Sequence, residues 1–171
     1  MSARIAAHRP RLEEALVRFD GLVEAGVSIH APRAAAFAAM VKEAPDLAAR
    51  HAALAARGAD AHYERIDFGR HVAEALDRRR KRAERHLVAA LTPRLRDLRV
   101  LTPEADNQIL RAAMLLSPPV LKTLGADLPA LSAKTGFAAD EKVDIALIGP
   151  APIYHFLSLS LDVEPDRSRA A

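Results

Sequence analysis

Apolar positions in the first half of the chain return every three or four residues. In the second half they alternate or run together. That change of period predicts helices giving way to strands. Pro10 suits the first turn of a helix, where its missing N–H is no loss. From Arg11, RLEEALVRFDGLVEAG places Leu12, Leu16, Phe19 and Val23 on one face, with Gly26 as the expected stop. Val27 to Arg33 reads as an extended link or short strand, because Pro32 disfavours helix at Ala31. A short helix follows, carrying Phe37, Met40 and Val41. Pro45 opens a third that Gly58 closes. Ala61 to Phe68, AHYERIDF, is expected as a strand, although its alternation sets Tyr63 off the Ile66 face. The longest helix starts at Gly69; its stripe is Val72, Leu76, Ala83, Leu87 and Leu91, and Pro93 ends or bends it.

Beyond Leu98 the expected order is strand, strand, helix, strand, strand. RVLTP is a short strand. Asp106 to Ser117 is apolar enough for strand or helix, and the break at Ser117-Pro118-Pro119 favours strand. Val120, Leu121, Leu124, Leu128 and Leu131 recur at helical spacing, and Gly136 falls in a loop. Val143 to Gly149 is a strand. Ile153 to Val163 is another, with Leu157, Leu159 and Leu161 alternating against Ser158 and Ser160. Between these two strands lies GPAPIYHF. There Gly149 is free to take unusual backbone angles, and Pro150 and Pro152 remove two donors from any ladder.

The chain has 171 residues, enough for one domain or two small ones. Half are apolar, but alanine supplies much of that half and buries little surface, so a thin core spread between helices is expected. A net charge of +3 is too small to demand a nucleic-acid partner, and the absence of cysteine excludes disulfides and thiolate metal sites. No apolar run approaches the ~20 residues of a membrane span. MSARIAAHRP has no signal-peptide apolar segment, so a cytoplasmic protein is expected.

Candidate chemistry is sparse. The seven histidines are scattered, without the spacing of a helical zinc site. Asp140, Glu141 and Asp144 lack the glycine and spacing of a calcium loop. No nucleophile elbow or phosphate-cradling glycine loop occurs. No catalytic residue, cofactor or metal is therefore expected. The strongest charge feature is DRRRKRAER, Asp77 to Arg85. It reads either as a solvated helix laced by pairs such as Asp77 with Lys81, or as a surface for an acidic partner or nucleic acid using Arg78, Arg79, Arg80, Lys81 and Arg82. Few aromatics stand nearby for bases to stack on.

The late segment also carries a resemblance. Gly149-Pro150-x-Pro152-x-Tyr154-x-Phe156 after an apolar strand resembles the GvpF/GvpL family of gas vesicle proteins. Ile153 stands where a second proline is usual, and Ala151 where an aromatic is common. ERIDFG, EALDRRRKRAERHL and NQILRAAMLLSPPVLKTL precede it in the family's order. The resemblance is best from about Glu64 to Leu161. It implies an α+β protein in which a long helix joins a helix-rich N-terminal part to a ferredoxin-like C-terminal domain. The expected boundaries are 1–68 for the N-terminal part, shortened relative to the family, 69–98 for the connecting helix, 99–163 for the C-terminal domain and 164–171 for a frayed tail. The implied role is non-enzymatic: an accessory protein of vesicle assembly that binds the hydrophobic shell protein, limits its aggregation during nucleation, and meets other vesicle proteins. Covering apolar surface requires exposed apolar area. Its expected places are the alanine-rich helices Pro32 to Ala44, with Phe37 and Met40, and Pro45 to Gly58, or an open sheet edge.

Overall fold

A computed structural model describes residues 2–57, 61–138 and 143–158. Five helices and four strands follow in the order α1 (Ser2–Phe19), β1 (Val23–His30), α2 (Arg33–Glu43), α3 (Pro45–Ala56), α4 (His62–Leu91), β2 (Asp97–Val100), β3 (Gln108–Leu116), α5 (Pro118–Ala133) and β4 (Asp144–Ala151). The strands form one sheet, ordered β2-β3-β1-β4, and every neighbouring pair is antiparallel. Strand, helices, strand, strand, helix, strand in that spatial order is the ferredoxin-like split β-α-β arrangement. The class is α+β, as the sequence implied. The motif runs from Val23 to Ala151 and so crosses the expected divisions near residues 68 and 98.

Several sequence expectations hold. Helices α2 and α3 lie where the spacing placed them, β3 is a strand, α5 starts at the double proline, and α4 ends just before Pro93. The stop expected at Gly58 lies outside the described residues. Three expectations are corrected. The first helix begins at Ser2, with Pro10 in its interior rather than in its first turn, and ends at Phe19, not at Gly26. Gly21, at φ +69°, takes the left-handed turn, and the Leu22 N–H donates to the Phe19 carbonyl. Val23 to Gly26 therefore belong to β1. Second, Ala61 to Phe68 is not a strand; α4 begins at His62. Ala61, Phe68 and Val72 close over Leu47 and Leu54 of α3, a contact that requires helical spacing and overrides the β preference of Tyr63 and Ile66. Third, Ile153 to Ser158 makes no strand, while Leu159 to Val163 lie outside the described residues.

The two faces of the sheet differ. One is roofed by α4 and α5. Val27, Ile29, Leu110, Met114 and Leu116 meet Leu87 and Leu91 of α4 and Leu124 and Leu128 of α5 in a continuous apolar core. On the other face a smaller cluster gathers Ala113 and Leu115 under Phe156, with Phe19, Leu22, Leu101 and Ile153 alongside. That second cluster comes from the end of α1 and the segment after β4.

Candidate partner-binding surface

The proline turn is built on β1. Glu24 pairs with Ala151 and Gly26 with Ile148, so two residues of β4, Gly149 and Pro150, oppose the single Ala25 of β1, and the Gly149-Pro150 step bulges out of the ladder. The backbones approach closely there. A Cβ on Gly149 would stand 2.9 Å from the Ala25 Cβ and 3.2 Å from the Glu24 carbonyl oxygen, so only glycine fits without displacement. The Gly149-Pro150 bond is cis.

Past the bulge the chain crosses the open face as a strap, Pro152 to Ser158. Glu24 holds it. The Tyr154 and His155 amides donate to Glu24 Oε2 at 2.8 and 2.9 Å, and His155 Nδ1–H donates to Oε1 at 2.6 Å. These bonds explain why the strap is not a fifth strand: two of its amides are spent on a carboxylate. Burial alone would raise the Glu24 pKa. The His155 side chain, the two amides and the His155 charge outweigh it and hold the carboxyl below the ordinary glutamate value. Phe156 is the strap's anchor, buried on Ala113 and Leu115, with the Arg99 guanidinium 5.3 Å from its ring centroid. Tyr154 points outward and is 70% exposed. So is Ile148, on the free edge strand β4.

Of the turn residues, Gly149, Pro150, Pro152 and Phe156 shape the strap, and Tyr154 faces solvent. Sequence reasoning missed Glu24. Its signal was a single acid inside an apolar run, LVEAGVSI, concealed once that run was read as helix.

The arginine-rich stretch is divided by the fold. Arg79 is 12% exposed. Its Nε donates to the Phe137 carbonyl at 3.0 Å, and its other nitrogens reach the Gly136 carbonyl and Glu43. It ties the loop after α5 to α4 and to the end of α2. Arg80 is similarly enclosed between Asp77 at 3.0 Å and Glu84 at 3.1 Å. Lys81 pairs with Asp77 and Arg78 reaches Glu74, both at exposed positions. Arg82 is exposed. Asp77 is held below the usual carboxylate value by its hydrogen bonds to Lys81 and Arg80. Most of the positive charge is thus answered within the helix. Phe37 is half-buried, its ring 6.1 Å from His51, and Met40 is buried, so Met40 offers nothing to a partner. Among the described residues no cluster of three or more acidic or histidine side chains could hold a metal, and no helix is long and apolar enough to cross a membrane.

These features define an α+β protein with a ferredoxin-like sheet, roofed on one face and strapped on the other. The profile for "Gas vesicle synthesis protein GvpL/GvpF" matches residues 1–158, and the chain belongs to that family. Two solved structures share the fold. GvpF from Anabaena sp. PCC7120 is 20% identical with a TM-score of 0.73, and GvpF from Microcystis aeruginosa is 18% identical with a TM-score of 0.63. Each similarity covers 91% of this chain and 62% of the other, so the chain spans less than two thirds of those proteins. No curated protein sequence matches.

Proposed function

We propose that this protein is an accessory factor of gas vesicle assembly that binds the hydrophobic shell protein and limits its aggregation during nucleation. It works by contact rather than catalysis. The observation that carries the reading is the family match over residues 1–158. Exposed apolar side chains on and around the strapped face support it. Ile148 on the open β4 edge and Tyr154 of the strap are exposed, as are Leu16 and Val17 of α1. An edge strand offers main-chain donors and acceptors to an incoming segment, while neighbouring side chains choose it.

The test is co-expression with the shell protein of the same vesicle, followed by affinity capture in low and high salt. The reading expects the shell protein to be retained in both and to stay soluble longer with the chain than without it. Clean separation at both salt concentrations, with unchanged shell-protein aggregation, contradicts it.

A further inference from the structure

Two recesses flank the meeting of α1 with the strap and share Ala15, Phe19 and Leu157. One, of about 570 Å³, is mainly apolar; Leu12, Leu16, Leu22 and Ile153 line it, with Asp20 its one carboxylate. The other, of about 380 Å³, is lined by Arg11, Arg18 and Arg99 against a single acid, Glu14. None of the three arginines pairs with a carboxylate among the described residues. This contrasts with Arg79, Arg80 and Lys81, which are all answered. Two of the three are nonetheless placed. The Arg18 guanidinium lies 5.1 Å from the Phe19 ring centroid, and that of Arg99 lies 5.3 Å from Phe156. A guanidinium stacked on a ring keeps its edge donors available for a planar acceptor.

We infer that this double recess is a docking site for an amphipathic protein segment with an apolar stripe bordered by carboxylates. The stripe fills the apolar half and the carboxylates meet Arg18 and Arg99. A nucleic-acid partner fits less well, because the basic recess opens beside an apolar one rather than continuing as a charged track. The inference rests on the assembly reading only for the partner's source, a vesicle protein; its chemistry is tested separately.

The probe is a pair of labelled helical peptides with the same leucine stripe, one edged with glutamate and one with lysine. Each is titrated against the full chain by fluorescence anisotropy over a salt series. The glutamate-edged peptide should bind roughly tenfold tighter or better, with the margin shrinking as salt rises. In the chain carrying R18E and R99E the preference should reverse, and L16D should weaken both peptides. Equal binding of the two peptides, or a preference untouched by R18E and R99E, overturns the inference while leaving the assembly reading standing. The full-length variant D162N/E164Q/D166N separates another occupant. If it binds the glutamate-edged peptide much more tightly than the parent chain, the chain's own acidic end is the segment the recess takes, and an external partner is overturned. Unchanged affinity supports the external partner.

Discussion

The two faces of the sheet solve the same problem by different means. The helix-covered face buries a broad apolar layer, in which Val27, Ile29, Leu110 and Met114 are sealed by α4 and α5. The open face buries little. Ala113 and Leu115 sit under one anchor, Phe156, and the strap that carries it is held by one carboxylate. Stability from a wide core is distributed and hard to remove locally. Stability from a clamp is concentrated and can be released without unfolding the sheet. The roofed face therefore keeps the fold, and the strapped face has surface to offer.

That contrast gives graded expectations. On the roofed face, Leu87→Ala should cost about 2–5 kcal/mol of global stability, read as a shift of the denaturant midpoint. At the seam between the faces, Gly149→Ala must push a Cβ against Ala25, and about 1–3 kcal/mol should be lost. A smaller loss there would mean that the bulge yields easily. On the strapped face, Glu24→Gln removes charge-assisted bonds, worth about 1–2 kcal/mol. The exchange rates of the Tyr154 and His155 amides should rise while those of β3 stay as they were. If β3 exchanges faster to the same degree, the clamp and the core are one unit and the comparison fails.

How much of this was legible in the sequence depends on the range of the forces. Helices α2, α3 and α5 and strand β3 follow from local spacing and prolines, and they stand where expected. The GPAPIYHF turn was visible as a place where a ladder must stop. What sits opposite it was not. Glu24 lies about 130 residues away, so no local pattern links it to His155. Ala61 to Phe68 was misread because its aromatic and β-branched residues suit a strand, and the contact with Leu54 that makes it a helix is tertiary. The arginines show the same limit. Composition counts Arg79 and Arg82 alike, but the fold encloses one and exposes the other.

The pH dependence sharpens the contrast further. Because the Glu24 pKa is lowered in the folded state, its contribution is complete above the ordinary glutamate range and fades as pH falls through the lowered value. Acid titration followed by NMR should loosen Tyr154 and His155 before the sheet melts. The smallest effect belongs to the exposed pairs. Arg78→Ala removes a 3.8 Å contact with Glu74 at the surface and should change stability by less than about 0.5 kcal/mol.

The most direct measurement is hydrogen–deuterium exchange on the chain alone and in complex with its co-expressed vesicle shell protein. The account predicts new protection at Leu12 to Leu22 and Ile148 to Leu157, with Arg78 to Arg82 unchanged. Protection confined to Arg78 to Arg82, with the strap and α1 exchanging as in the free chain, would contradict it.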